Sequence, residues 1–154
     1  MKREKNIFDK LGSLIPGYRG YAERDSRRNC DKILRDKITD NIIICEKILN
    51  NRLKKLIKNK KLTTLQNIEE CRQKMNTLGD KIKYSPYGES AFFSDLQIKE
   101  AELKTIYQLD YNIYLFSKNL KDDITNSDYF HILDLIESLT SLLKNRNDFI
   151  KGQK

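Results

Sequence analysis

The strongest helical pattern in the chain lies at residues 30–56, which read CDKILRDKITDNIIICEKILNNRLKKL. Apolar side chains recur there every three or four positions, the spacing that places them along one face of an α-helix. The members of this face are Cys30, Leu34, Ile38, Cys45, Leu49, Leu53 and Leu56, widened by Ile33, Ile42, Ile48 and Ile57. The pattern predicts a helix over about residues 22–60, which at 1.5 Å per residue is roughly 55–60 Å long.

Four further helices are predicted from the same spacing, and the alternation typical of strands is absent from the sequence. The five predicted helices span about residues 4–14, 22–60, 63–84, 95–122 and 128–150. Capping-box spacing marks two of the starts, at Thr63 with Gln66 and at Ser94 with Gln97. Short connections between long amphipathic helices predict an all-α fold, an antiparallel up-and-down bundle of four main helices with a short N-terminal helix across one end.

The length of 154 residues predicts a single domain, 1–154, with frayed ends at about 1–5 and 151–154. The longest uninterrupted apolar run is Ile42–Cys45, whereas about 20 residues are needed to span a bilayer. No apolar signal-peptide core follows the charged start of the chain. These features predict a cytoplasmic protein that is not transmembrane.

Few residues of the chain suit metal binding or catalysis. Three cysteines at positions 30, 45 and 71 and a single histidine, His131, would all have to converge to supply the four ligands of a zinc site. Reduced, buried thiols are the expected alternative. No nucleophile–base pair or carboxylate dyad has a spacing that supports catalysis. The sequence therefore predicts neither a metal site nor a cofactor, and it favours a protein that is not an enzyme.

Positive charge is concentrated in the first two-fifths of the chain. Residues 1–61 hold 18 basic and 8 acidic side chains, whereas residues 62–154 hold 12 basic and 14 acidic ones. The run from Arg52 to Lys61 carries six bases and no acid, while Leu53, Leu56 and Ile57 are assigned to its inner face. Such a run is typical of a solvated helix end that complements the macrodipole, and it also suits nucleic acid or an anionic membrane surface.

The segment 15–21, IPGYRGY, precedes a cluster of arginines in the same basic region. Pro16 and the two glycines predict an elbow between helices, with the tyrosines covering the joint. Tyrosines beside arginines also suit the binding of phosphate groups or of a nucleic-acid backbone. Gly17 and Gly20 do not form a phosphate-binding loop, because GxxxxGK[ST] is absent.

This segment also carries a resemblance to a known family. With Arg27-Arg28, Asp31-Lys32 and Leu34-Arg35, it resembles the opening signature of a family of small bacterial helical proteins. The stretch 87–93, YGESAFF, with Ile98, Leu103, Tyr107 and Asp110, is similar to the second signature of that family. This chain has Ala91 and Ser94-Asp95 where that signature usually carries an extra Gly and an Asp after the Phe. The resemblance implies a helical fold and a protein partner, and it implies no particular activity.

Two charged residues interrupt the apolar faces of the last two predicted helices. Asp110 lies about 16 residues before the connection near 125–127, and Arg146 lies about 20 residues after it. Antiparallel helices would bring the two side chains within about one turn of each other. Because an unpaired buried charge costs several kcal/mol, we expect a structural ion pair between them.

The first functional hypothesis is a non-enzymatic interaction or adaptor protein that docks a partner protein through the elbow and the basic first long helix, with Tyr18 and Tyr21 as the more important residues. The alternative is a basic-surface binder of nucleic acid or of an anionic membrane surface through residues 18–61. A homo-oligomer is a further open possibility, because the longest helix outruns its neighbours. The candidate interaction residues are Tyr18, Arg19, Tyr21, Arg24, Arg27, Arg28, Lys54, Lys55 and Lys58.

Overall fold

The structure, a computed structural model, describes residues 6–84, 91–93 and 97–152. It contains five α-helices: α1 (Ile7–Leu14), α2 (Arg27–Lys58), α3 (Leu62–Tyr84), α4 (Glu100–Ile124) and α5 (Tyr129–Lys151). Single 3₁₀ turns lie at Arg24–Ser26 and Ala91–Phe93, and the described residues form no β-strand. The predicted all-α class is confirmed. Within these residues, no helix is both long enough and apolar enough to cross a membrane.

The helix starts differ from the predicted ones where local hydrogen bonds decide them. The helix α2 begins at Arg27 and not near residue 22, because Ser26 Oγ donates to the backbone oxygens of Gly20 and Glu23 and stabilises a 3₁₀ turn first. The helix α4 begins at Glu100 and not near residue 95. There the Glu102 carboxylate accepts the backbone N–H of Lys99 at 2.9 Å, which satisfies one of the free donors of the helix start.

At the C-terminal end, α5 continues to Lys151, one residue past the predicted helix end at about residue 150. The predicted frayed residues 1–5 and 153–154 lie outside the described part of the chain. The same is true of Ser94 in the second predicted capping box and of most of the YGESAFF stretch. By contrast, Phe92 and Phe93 are both buried.

The buried apolar side chains form one cluster to which all five helices contribute. The helix α2 packs against α3 and α4, while α5 packs against α3 and α4 and α1 packs against α4. In the α2–α3 pair, Arg35 near the start of α2 donates to Ile82 O near the end of α3, and Asn76 meets Glu46 midway. These two helices therefore run in opposite directions and form a helical hairpin.

Candidate functional site

The most polar part of the interior lies where the elbow meets α2, α4 and α5. We call it the polar cluster; its members are Tyr18, Tyr21, Asp31, Arg35, Asp110 and Arg146. Tyr21 and Asp110 have no exposed surface, and Asp31 and Arg146 are each only 3% exposed. Charges buried to this degree are stable only when they are paired and hydrogen-bonded, so their partners determine what the cluster does.

Asp110 accepts three hydrogen bonds, two from tyrosines of the elbow and one from α5. Tyr18 Oη donates to its Oδ2 at 2.7 Å, and Tyr21 Oη donates to the same oxygen at 2.5 Å. Arg146 Nε donates to its Oδ1 at 2.6 Å. The expected ion pair is present in the structure, and the two tyrosine hydroxyls complete the coordination of the carboxylate.

Arg146 extends the polar cluster to the start of α2. Its Nη2 lies 2.8 Å from Asp31 Oδ1 and donates to Tyr21 Oη at 2.9 Å. Asp31 in turn pairs through its other oxygen with Arg35 Nε at 2.9 Å. Two carboxylates and two guanidinium groups therefore alternate through the interior, which leaves the charge of the polar cluster balanced.

The glycines of the elbow allow Tyr18 and Tyr21 to turn inward. Gly17 and Gly20 both have positive φ angles, 85° and 84°, which L-residues with side chains rarely adopt. A Cβ atom at Gly20 would lie 2.4 Å from Tyr107 Oη. This close approach lets Tyr107 Oη accept the backbone N–H of Tyr21 at 3.0 Å. The conformation of the elbow thus depends on glycine at these positions.

Burial and charge set the protonation states around the polar cluster. Burial, reinforced by the negative charge of Asp110, raises the pKa of Tyr18 and of Tyr21 well above the ordinary value, so both remain protonated donors. Burial also raises the pKa of the nearby Cys30 thiol to about 12. Burial disfavours the charge on Arg146, but Asp110, Tyr21 and Asp31 together hold its pKa well above the usual value.

The geometry defines the chemistry open to the polar cluster. Both oxygens of Asp110 are occupied by protein donors, and the carboxylate is fully buried. The cluster therefore joins the elbow to three helices and holds them in place. Among the described residues, no group of three or more His, Cys, Asp or Glu side chains is arranged to bind a metal ion. The free cysteines Cys30, Cys45 and Cys71 are all buried.

Three of the predicted interaction residues are not on the surface. Tyr18 is 5% exposed, Tyr21 has no exposed surface and Arg27 is 3% exposed, so their assignment to an exposed docking surface is wrong. The tyrosine hydroxyls point inward to Asp110. Arg27 donates to the backbone oxygens of Tyr21 and Phe92, and in this way it supports the elbow from within.

The other predicted interaction residues are exposed, but they form two separate groups. Arg19, Arg24 and Arg28 lie beside the elbow, whereas Lys54, Lys55 and Lys58 lie at the far end of α2. Arg28 and Lys55 are separated by about 40 Å of helix at 1.5 Å per residue. The predicted interaction residues of region 18–61 therefore do not form one compact patch.

The second group belongs to the end of the α2–α3 hairpin near which α4 ends and α5 begins. Arg52 Nη1 donates to Ile124 O at 2.8 Å, which fixes the level at which α4 ends. Tyr129 Oη donates to Glu70 at 2.5 Å, which fixes the level at which α5 begins. Past these contacts, α2 continues for six residues and α3 has eight residues before Glu70. At 1.5 Å per residue these helix segments are about 9 Å and 12 Å long. We call residues 53–66 the hairpin tip.

The hairpin tip is both basic and apolar. Its lysines, at positions 54, 55, 58, 60 and 61, are all exposed, and residues 47–68 contain no acidic residue. Ile57 is 63% exposed and Leu62 is 68% exposed. The prediction that Ile57 faces inward is wrong, because Ile57 lies at the rim of an open groove between α2 and α3, beside Leu65 and Glu69. Within the described chain, none of the salt bridges found involves these five lysines.

Comparison with known proteins does not assign this fold or either group of residues to a family. No protein-family model matches the chain, and no curated protein or solved structure matches it. A functional conclusion must therefore come from the geometry of the polar cluster and of the hairpin tip.

Proposed function

We propose that the protein is a non-enzymatic interaction protein whose hairpin tip docks on an anionic surface of a macromolecular partner. In this proposal the four long helices form an antiparallel up-and-down bundle, with α1 across the end opposite the hairpin tip. The antiparallel α2–α3 pair, the Arg52–Ile124 contact and the Asp110–Arg146 pair between α4 and α5 all support this arrangement. The polar cluster holds together the end of the bundle that contains the elbow, and the hairpin tip lies at the opposite end.

One observation carries the functional part of the proposal. Five exposed lysines project on a segment that contains no acidic residue. Clustered, exposed positive charge at the end of a helical hairpin attracts anions over a distance of about 8–10 Å at physiological ionic strength. The macrodipole of α2 accounts for lysines in its last turn, but it does not require Lys60 and Lys61, which lie past the end of that helix.

The elbow supports docking less well than the hairpin tip does. Its tyrosines are buried, which removes the apolar part of the surface that the first hypothesis used. The guanidinium of Arg28 lies 5.7 Å from the centre of the Phe93 ring, so it is engaged within the fold. Exposed cations and exposed apolar side chains occur together at the hairpin tip.

Retention on immobilised heparin, a polyanion, tests this proposal. The variant Lys54→Gln/Lys55→Gln/Lys58→Gln removes three charges from the hairpin tip. A matched control, Lys32→Gln/Lys104→Gln/Lys118→Gln, removes three exposed lysines from elsewhere. We expect the tip variant to elute at clearly lower salt than the wild type and the control to elute close to the wild type. Binding through a defined surface depends on the number of contacted charges, and not on net charge alone.

All six substituted lysines are exposed, so both variants should fold, and circular dichroism melting curves verify this. Equal shifts of the two variants would show that retention reflects net charge only, which would overturn the proposal. So would a wild-type protein that passes through heparin at low salt.

A further inference from the structure

We infer that the anionic surface is that of a phospholipid membrane, with the hairpin tip lying in the headgroup region. This inference rests on the proposed function, and it specifies the partner. The lysines would contact lipid phosphates and carboxylates, while Ile57 and Leu62 would enter the boundary between headgroups and acyl chains. The whole contact would be peripheral, made by the tip of two packed helices.

The apolar side chains of the hairpin tip distinguish a membrane from other anionic partners. Ile57 and Leu62 flank the turn at Asn59–Lys61 and are among the most exposed large aliphatic residues of the described chain. Aliphatic side chains make few favourable contacts with nucleic acid, because proteins bind its single strands by stacking aromatic side chains on the bases. Residues 53–66 contain no aromatic residue and no arginine, and the nearest exposed aromatic ring is that of Phe130, which lines a cleft with Thr64. Lysine combined with exposed Ile and Leu is the composition of a surface that binds the interfacial region of a membrane.

The shape of the hairpin tip agrees with this partner. Interfacial segments place their apolar side chains about 5–10 Å into the boundary region of the bilayer. The turn lies about 9–12 Å of helix past the contacts of Arg52 and Glu70, and the α4–α5 connection occupies part of this length beside Thr64. The exposed side chains next to the turn, Ile57 and Leu62, are therefore the part of the hairpin tip that would enter the boundary region. Lysine side chains are long enough to keep their ammonium groups at the headgroups while their stems cover apolar surface.

The turn itself holds the two apolar residues at the end of the molecule. Lys61 N donates to Leu56 O at 3.1 Å and Lys60 N donates to Ile57 O at 3.2 Å, so the end of α2 is closed by two backbone hydrogen bonds. Leu62 then begins α3 at once. The lysines and the aliphatic side chains are therefore presented by two helix ends in a fixed geometry.

Co-sedimentation with vesicles tests the inference, with phosphatidylcholine alone compared with phosphatidylcholine that contains phosphatidylserine. We expect binding to the anionic vesicles only, with an affinity that falls as salt is raised. Each lysine near such a surface strengthens binding about fivefold, so Lys54→Gln/Lys55→Gln/Lys58→Gln should weaken it about 100-fold. The control Lys32→Gln/Lys104→Gln/Lys118→Gln should stay within a few-fold of the wild type.

A second pair of variants tests the apolar contribution. Ile57→Gln/Leu62→Gln should weaken binding to anionic vesicles about tenfold or more, because two buried aliphatic contacts are lost. The matched control is Ile43→Gln/Ile44→Gln, which changes two side chains that are 42% and 40% exposed on α2 outside the hairpin tip. We expect the control to bind as the wild type does. Equal vesicle binding by the tip pair and the wild type would overturn insertion of the tip into the membrane.

The two levels of the proposal fail in different ways. Lysine-dependent retention on heparin without vesicle binding would overturn the membrane inference and leave the proposed function standing. Tighter, tip-dependent binding to double-stranded DNA than to anionic vesicles would overturn it in favour of nucleic acid. Failure to bind both heparin and anionic vesicles would overturn the proposed function as well.

Discussion

Asp110 shows how a charged residue is accommodated in an apolar core. Its carboxylate has no contact with solvent, and it is stable there because two tyrosine hydroxyls and one guanidinium donate to it. Breaking such a pair by removing one partner is strongly destabilising, since the other charge is left without compensation. The stability of the fold therefore depends on the individual hydrogen bonds and ion pairs of the polar cluster.

Asp110→Ala should lower the free energy of unfolding by about 3–5 kcal/mol. The substitution leaves Arg146 with Asp31 alone and deprives both tyrosine hydroxyls of their acceptor. Urea unfolding measures the loss, and Asp122→Ala, an exposed change on the same helix, should change stability by no more than about 0.5 kcal/mol. Equal unfolding midpoints for the Asp110 variant and the wild type would contradict the role given to the polar cluster.

The sequence predicted the pairing of Asp110 with Arg146, but it did not predict the tyrosines. A charged residue in the apolar face of one helix indicates an opposite charge in the facing helix, because neither charge can be buried alone. Tyr18 and Tyr21 stand beside arginines and glycines, and a tyrosine in that setting suits a surface equally well. A buried Asp carboxylate accepts more hydrogen bonds than one arginine donates to it. This need for further donors was the signal that could have identified the tyrosines.

At the level of the element, the turn between α2 and α3 is closed by an unusual residue. Lys60 follows the C-cap residue Asn59 and has a φ angle of 56°, the only positive value found for a residue other than glycine in the described chain. Glycine normally occupies this position, because a Cβ atom strains the left-handed conformation. Lysine therefore occupies a position at which glycine would make the folded protein more stable.

Lys60→Gly should raise the free energy of unfolding by about 0.5–1 kcal/mol, since the left-handed conformation no longer carries the cost of a side chain. Urea unfolding of this variant is compared with that of Lys61→Gly, which changes the neighbouring residue with an ordinary φ angle. A lower stability for Lys60→Gly than for the wild type would contradict the strain that we assign to position 60. Its vesicle binding should fall only by the contribution of one lysine.

The helices themselves were predictable, whereas their surroundings were not. The spacing of apolar residues indicated all five, and the capping-box spacing at Thr63 placed the start of α3 within one residue of Leu62. The same spacing assigned Ile57 to the core, although it lies at the rim of the groove between α2 and α3 and is 63% exposed. Periodicity reveals which face of a helix is apolar, but it does not reveal where the neighbouring helix ends.

At the scale of the whole molecule, the buried ionisable groups predict sensitivity to high pH. Burial raises the pKa of the Cys30 and Cys45 thiols to about 12 and that of Cys71 to about 11, and it raises the pKa of Tyr18 and Tyr21 as well. In the unfolded chain, thiols ionise near pH 8.5 and phenols near pH 10. The folded state therefore binds more protons than the unfolded state above these values.

The free energy of unfolding should be constant with respect to these groups below about pH 8 and should fall as the pH rises above it. Each group contributes up to about 1.4 kcal/mol per pH unit between its unfolded and folded pKa. Urea midpoints measured from pH 7 to pH 10.5 test this, with Cys45→Ala as a variant that lacks one thiol and should show a shallower decline. A flat profile over this range would contradict the burial of the thiols.

The all-α class followed from composition and periodicity, but the division of the positive charge did not. The sequence places the bases in one stretch of 61 residues, which reads as one surface. A straight helix carries them about 40 Å apart, to opposite ends of the molecule. The charge counted along the sequence predicts the sign of a binding surface. Only the packing of the helices shows where that surface lies.

The wide separation in sequence of the residues in the polar cluster has a consequence for the order of folding. Tyr21 and Arg146 are 125 residues apart, and Tyr18 and Asp110 are 92 apart. During synthesis the α2–α3 hairpin can form from nearby contacts, whereas the elbow must wait until Arg146 has left the ribosome. Contacts so distant in sequence form slowly, because a long loop must close before they give any stability. The elbow, although it precedes the α2–α3 hairpin in the sequence, should therefore reach its final position after that hairpin has formed.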